Sequence, residues 1–213
     1  MAGSQPVSKE EAQTPQRSAT QENVLRAGRS MPNTSRVSKS TPPKSKSKPA
    51  SSSTDIDNDD HRIKTDVLIA IKPIHLANIV SQKKNHEYRK YRLHDKVVRL
   101  WLYETKEGGE GRASITHIAV IPEGIRHTPG DVPAEPFGIG NDDFNAGLKQ
   151  SKYGYPVLGV YELVKPVTLD EMKSRWDMGA PMGWRYIRAD LWVDRWGAGI
   201  DDNDRAEKVT RVF

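Results

Sequence analysis

The uneven distribution of aromatic residues most constrains what this 213-residue chain can fold into. Residues 1–60 contain no Trp, Tyr or Phe and consist mostly of Ser, Pro, Lys, Gln, Thr and Ala. Such a segment cannot bury enough apolar surface to offset the entropy lost on ordering, so we expect a disordered tail over residues 1–62. The core must then come from residues 63–213, a normal length for one compact domain.

The predicted tail is basic in its second half. From Arg26 to Thr54 it has seven basic residues and no acidic one. A run of this kind can attract nucleic acid or direct nuclear import. The Lys-Ser-Lys-Ser-Lys spacing near its end is looser than a compact basic cluster, so we favour a flexible extension with generic charge.

Several classes of protein are excluded or disfavoured by what the sequence lacks. Cysteine is absent, which excludes disulfides, thiolate metal sites and cysteine nucleophiles. The histidines are scattered without an i, i+4 pair, so we expect neither a metal nor a cofactor. The first residues hold no apolar signal core, and no apolar run approaches the length of a membrane span. We expect an intracellular protein, cytoplasmic, nuclear or both, with no membrane partner.

Hydrophobic patterning predicts an α+β domain. The predicted strands are 66–71, 97–103, 115–121, 155–168 with a bend at Gly159, and 184–193 as a last strand or edge. The predicted helices are 74–81 after Pro73, a short one that begins at Asn141, and 169–176. Residues 122–153, rich in Pro, Gly and Asp, are predicted to be an inserted loop. We expect a curved, mostly antiparallel sheet that closes into a small β-barrel with flanking helices.

The first predicted helix is followed by QKKNHEYR, residues 82–89. This stretch resembles the Gly-x-Lys-x-x-Glu-x-Arg pattern of the ASCH domain, a branch of the PUA-like β-barrel superfamily. Lys84, Glu87 and Arg89 match the pattern, whereas Gln82 stands where the family usually has Gly. The later run VLGVYEL, residues 157–163, looks like the closing strand of the family, so the resemblance spans about residues 66–170.

The resemblance implies a cleft beside the barrel with Lys84, Glu87 and Arg89 on its floor. The family is linked with RNA or nucleotide recognition and with transcription coactivators, and a few bacterial members are small amidohydrolases that act on an acetylated cytidine. Those enzymes use a threonine nucleophile at the position that matches Glu87, so their chemistry does not carry over directly. In an enzyme, Glu87 would be the candidate general base and Lys84 the oxyanion stabiliser. Ser81 and Thr116 are the candidate hydroxyl nucleophiles, and no feature of the sequence favours either as a nucleophile.

Strand geometry predicts a similar site independently of the resemblance to the ASCH family. Residues two apart on a strand share a face, so Glu87, Arg89 and Tyr91 are predicted to point together. Glu87 can hold the Arg89 guanidinium in place for a phosphate, and Tyr91 can add stacking surface. Lys149 and Lys152 are further candidates to border the cleft. The alternative is a solvated charged turn, in which an exposed ion pair contributes about 0–1 kcal/mol.

Four of the five tryptophans lie between residues 176 and 196, interleaved with arginines. They can form a stacking surface for single strands or seal the open side of the barrel, and we favour sealing because Trp is highly buried on average. The sequence therefore predicts a module that binds RNA, single-stranded nucleic acid or a nucleotide-like ligand. A small hydrolase on a modified nucleoside and a protein-interaction module of the coactivator type are the alternatives.

Overall fold

The structure, a computed structural model, describes residues 61–197 and 202–213. The predicted tail lies outside the described residues except for its last two positions. Arg62, the second of these, already begins the first strand. No helix within the described ranges is long and apolar enough to cross a membrane.

The described residues form an α+β fold, as predicted. The strands are β1 Arg62–Ile71, β2 His86–Arg89, β3 Arg99–Glu104, β4 Ser114–Val120, β5 Tyr153–Pro156, β6 Gly159–Thr168, β7 Trp184–Arg188 and β8 Val209–Arg211. The helices are α1 Pro73–Val80, α2 Asn141–Asn145, α3 Leu169–Trp176, α4 Ala189–Arg195 and α5 Asp202–Lys208.

Six strands form an open sheet in the order β7-β1-β3-β4-β6-β8, and β2 pairs with β5 in a separate two-stranded sheet. The pairs are antiparallel except for β1 and β3, so the mostly antiparallel sheet is confirmed. The predicted barrel is wrong, because β7 and β8 remain edges that pair only with β1 and β6. A barrel also encloses a single core, whereas this sheet is buried on both faces.

Two hydrophobic cores cover the two faces of the six-stranded sheet. Along β3, Leu100 and Leu102 point into one core and Trp101 into the other, as strand alternation requires. The core that contains Leu100 and Leu102, here called the α1 core, includes Leu76, Ile79 and Tyr155. The core that contains Trp101, here called the α3 core, includes Met172, Trp176, Leu191 and Trp196. Trp176 and Trp196 are buried, as favoured, although they cover a sheet face and not a barrel mouth. Trp192 is partly buried against the same core, whereas Trp184 is 37% exposed, so the prediction is wrong for Trp184.

Two predicted strands are divided in the structure. The predicted strand 155–168 is β5 and β6, separated at Val157 and Leu158. The amide of Val157 donates to the Asn85 carbonyl beside β2, whereas the amide of Leu158 donates to the Val120 carbonyl on β4, so the chain changes sheets between them. The predicted strand 184–193 is β7 followed by α4.

Candidate functional site

The turn between α1 and β2 positions the predicted motif. Pro73 occupies the first turn of α1, where its missing N–H costs no hydrogen bond. After the helix, Gln82 adopts a left-handed conformation with a φ of 59°, and the Lys84 amide donates to the Asn78 carbonyl at 2.9 Å. A left-handed residue other than Gly costs about 1–2 kcal/mol. Gly would adopt this conformation without that cost.

Lys84, Glu87 and Arg89 form one buried ion cluster. The Glu87 side chain is 6% exposed. The Lys84 ammonium donates to its Oε2, and a guanidinium nitrogen of Arg89 lies 2.8 Å from its Oε1. Each carboxylate oxygen thus has its own cation. The structure therefore brings together the three residues that match the motif, and Glu87 and Arg89 share a strand face as predicted.

The electrostatics of this cluster keep Glu87 ionised and leave an excess of positive charge. Burial alone raises the pKa of Glu87, but the neighbouring Lys84 and Arg89 cations outweigh it and hold the pKa below its usual value. Two cations then face one carboxylate, which leaves a formal charge of +1 on the cluster. A buried excess charge favours an anionic ligand.

Arg89 lines an open cavity of about 440 Å³, which neither Lys84 nor Glu87 lines. Its guanidinium also donates to the Ala70 carbonyl at 2.6 Å, while its Nε is buried without a hydrogen-bond partner among the described residues. The other residues that line this cavity are Ala70, Ile71, Lys72, Thr105, Lys106 and Glu107. The sequence pattern missed Lys72, Thr105 and Lys106, because they reach the cavity from the end of β1 and the β3–β4 turn.

Tyr91, a predicted stacking residue, follows β2 and is only partly exposed. Burial raises the pKa of Tyr91, with the nearby Arg89 acting in the opposite direction. Its hydroxyl donates to the Gly183 carbonyl at 3.3 Å. Tyr91 is therefore a neighbour of Arg89. Lys83, Lys90 and Arg92 are exposed.

The inserted loop forms one wall of the site. The Asn85 side-chain amide donates to the Pro136 carbonyl at 2.7 Å, and the Ile139 amide donates to the Lys83 carbonyl at 2.8 Å. The Tyr88 hydroxyl donates to Asn141 Oδ1 at 2.7 Å. The motif turn and β2 thus hold the loop at three points, and these contacts are long-range pairings that no local pattern encodes.

The same loop brings Lys149 close to the cluster. The ammonium groups of Lys84 and Lys149 each lie 5.7 Å from the centre of the Tyr88 ring. Lys149 also lies 3.7 Å from the Asp143 carboxylate, so its charge is partly neutralised. Lys152 differs, since its side chain is exposed and its backbone amide donates to the Arg89 carbonyl at 2.8 Å.

Two histidines that the sequence prediction did not assign to the site lie beside it. His75 on α1 is exposed, and partial burial followed by the charge of Lys84 lowers its pKa. His86 is buried, and burial, with smaller effects of His127 and Lys84, lowers its pKa to about 4. Both imidazoles are therefore neutral near pH 7. The Nε2 of His86 has no hydrogen-bond partner in the described part of the chain.

The candidate hydroxyl nucleophiles are engaged elsewhere. The Ser81 hydroxyl donates to the Asn78 carbonyl at 3.4 Å. The Thr116 hydroxyl, buried on β4, hydrogen-bonds the ring of His117 at 2.9 Å. No group of three or more His, Asp or Glu side chains with metal-binding geometry occurs within residues 61–197 and 202–213.

Comparison with known proteins identifies structural likeness only. No protein-family model and no curated protein matches the sequence. Among solved structures, the chain is similar to ASCH from Zymomonas mobilis at 18% identity, over 60% of this chain and 91% of that chain, with a TM-score of 0.42. Its serine-to-alanine variant matches at 18% identity, over 60% of this chain and 91% of that chain, with a TM-score of 0.43. Its tyrosine-to-phenylalanine variant matches at 17% identity, over 58% of this chain and 91% of that chain, with a TM-score of 0.43. These structures belong to the family that the motif resembles, and the function proposed below rests on the geometry of the site.

Proposed function

We propose that this chain is an RNA- or nucleotide-binding module that receives a phosphate or similar anionic group at the Lys84–Glu87–Arg89 cluster. The observation that supports the proposal is the burial of two cations against one carboxylate. A buried unit of positive charge gains from an anion, because the interaction is screened less there than at the surface.

Glu87 has an organising role in this proposal. With one cation on each oxygen, the carboxylate fixes the direction of the Arg89 guanidinium and of the Lys84 ammonium. A guanidinium that is already held loses less side-chain entropy when its remaining N–H groups bind a phosphate oxygen. Lys106 at the open cavity and Lys149 on the loop extend the positive field outward, whereas Lys72 is paired with Glu107, which lines the same cavity.

The proposal is tested with single-stranded RNA and variants at the rim of the site. Lys106→Glu and Lys149→Glu reverse one charge each beside the cluster without removing a buried residue. Lys173→Glu is the matched control, since it reverses the same charge at an exposed position on α3, the helix of the α3 core. All variants are made in the full chain, so that the basic residues 26–54 contribute equally to each.

Fluorescence anisotropy of a labelled ten-nucleotide RNA is measured over a series of salt concentrations. We expect each rim variant to weaken binding several-fold and to reduce the slope of log K against log salt by about 1, because each removes a phosphate contact. The α3 control should change both quantities much less. If all three variants weaken binding equally, the interaction is nonspecific charge attraction, and the cluster is not the site.

A further inference from the structure

Lys84 also lines a second cavity, of about 290 Å³, that does not include Arg89. Its polar wall comes from the α1–β2 turn, and its apolar wall comes from the inserted loop, the β5–β6 junction and the last residue. The lining residues are Gln82, Lys84, Asn85, Pro136, Phe137, Val157, Leu158 and Phe213. We refer to this space as the Phe137 cavity. It combines the buried Lys84 with the exposed apolar side chains of Phe137 and Leu158.

Phe137 is the most exposed aromatic side chain of this cavity. It is 64% exposed, and Leu158 at the β5–β6 junction is 60% exposed. Neither belongs to the α1 core or the α3 core, whereas Phe144 on α2 is fully buried. Neighbouring exposed apolar groups around a concave surface are typical of a binding site.

The backbone that carries Phe137 is fixed before any ligand binds. The carbonyl of Pro136 accepts from the Asn85 side chain, and the Ile139 amide donates to the Lys83 carbonyl. Gly138 packs so closely on Asn85 that an added Cβ would lie 2.0 Å from the Asn85 Oδ1. The turn that supplies Lys84 therefore also holds Phe137. A ligand that contacts both residues finds them already positioned, which lowers the entropic cost of binding.

We propose that the Phe137 cavity receives one unstacked base of RNA or of a nucleotide, stacked on Phe137, with the Lys84 ammonium donating to an acceptor on the edge of the base. This inference rests on the proposed function. It assigns the base to the Phe137 cavity and leaves the phosphate to the charged cluster. The ammonium has three donors and one of them is engaged by Glu87, so it retains donors for a ring nitrogen or a carbonyl oxygen.

Size and polarity favour a base over an apolar protein segment. The volume lies at the lower end of ligand pockets, which suits a single ring system. An aromatic platform accepts any base, because each base has a π face. An apolar peptide side chain would cover the Lys84 ammonium without an acceptor for the donors that Glu87 leaves unused, and a buried donor without a partner is unfavourable. A base supplies both the apolar face and the acceptor.

The test uses the full chain and two labelled strands of equal length and phosphate content, an RNA and an abasic strand. Phe137→Ala removes the ring, and Phe137→Tyr retains it. Leu148→Ala is the matched control, because Leu148 is 77% exposed on the same loop and does not line the cavity. We expect Phe137→Ala to weaken RNA binding by roughly 5- to 150-fold, with no effect on the abasic strand. Phe137→Tyr and Leu148→Ala should bind RNA as the unmodified chain does.

The outcomes of this test distinguish failure of the proposed function from failure of the base site at Phe137. If the unmodified chain binds neither strand, the proposed function is wrong and this inference fails with it. If RNA binding depends on Lys106 and Lys149 but not on Phe137, only the base site is overturned. Equal weakening of both strands by Phe137→Ala would also overturn it, because the ring would then act through the loop conformation and not through stacking. Circular dichroism of each variant checks that the fold is retained.

Discussion

The cost of removing Glu87 is the most direct measure of how buried the ion cluster is. Glu87→Ala leaves Lys84 and Arg89 without their shared counter-ion, although the side chains of both are less than 20% exposed. Loss of one partner from a buried ion pair costs about 3–5 kcal/mol. The exposed pair Lys72–Glu107 provides the control, with a similar distance of 2.8 Å but with both side chains more than half exposed. Its removal by Glu107→Ala should cost about 0–1 kcal/mol.

Urea unfolding, followed by tryptophan fluorescence, compares the two variants. With an m-value of about 2 kcal/mol/M, Glu87→Ala should lower the midpoint by about 1.5–2.5 M and Glu107→Ala by less than about 0.5 M. The m-value should not change, since neither variant alters the surface exposed on unfolding. Equal shifts for both variants would refute the reasoning, because they would mean that water screens Glu87 as well as it screens Glu107.

The pH dependence gives a second measurement on the same residue. Because Lys84 and Arg89 hold the pKa of Glu87 below its usual value, the folded chain binds this proton less readily than the unfolded chain does. The stabilisation is therefore fully present above the unfolded pKa of about 4.3 and is lost as the pH falls through the lower folded pKa. The stability difference between the unmodified chain and Glu87→Gln should be constant above about pH 5.5 and shrink below about pH 4.

Three further predictions concern the surroundings of the cluster. Gln82→Gly should raise the free energy of unfolding, measured by urea unfolding, by up to about 1 kcal/mol. Gly removes the strain of the left-handed φ of 59° in the folded chain, but its greater freedom in the unfolded chain offsets part of this gain. Tyr88→Phe should lower it by about 1–3 kcal/mol, because the Asn141 Oδ1 loses its donor; an unchanged midpoint would mean that water replaces the hydroxyl. NMR titration of the His86 ring should give a pKa of about 4 in the folded chain. Because the unfolded chain binds this proton already near pH 6.5, the free energy of unfolding should fall as the pH drops from about 6.5 to 4. A measured pKa near 6.5 would contradict the burial of the ring.

The features that sequence reasoning obtained correctly are local. The sequence predicts α1 after Pro73, the start of α2 at Asn141, and β1, β3 and β4 from their apolar runs within a few residues. The contact between Glu87 and Arg89 follows from the two-residue repeat of a strand. These predictions depend on neighbours along the chain, for which residue type and spacing suffice.

The features that it missed depend on contacts between distant segments. Closure of a barrel is decided by whether β7 and β8 meet, and an open sheet with the same alternation is equally compatible with the sequence. The docking of residues 136–139 on Asn85 joins positions about fifty apart, and Gly138 reads in the sequence as an ordinary loop glycine. The sequence prediction therefore located the cluster and the inserted loop, but not the docking of residues 136–139 on the motif turn or the cavity beside Phe137.

The charge arrangement at Glu87 favours a binding role over a role as general base. An efficient general base has a pKa near the working pH and a free oxygen that faces the proton it removes. Glu87 has a pKa held below its usual value, and Lys84 and Arg89 engage its two oxygens. A carboxylate in this state abstracts protons poorly but orients cations well.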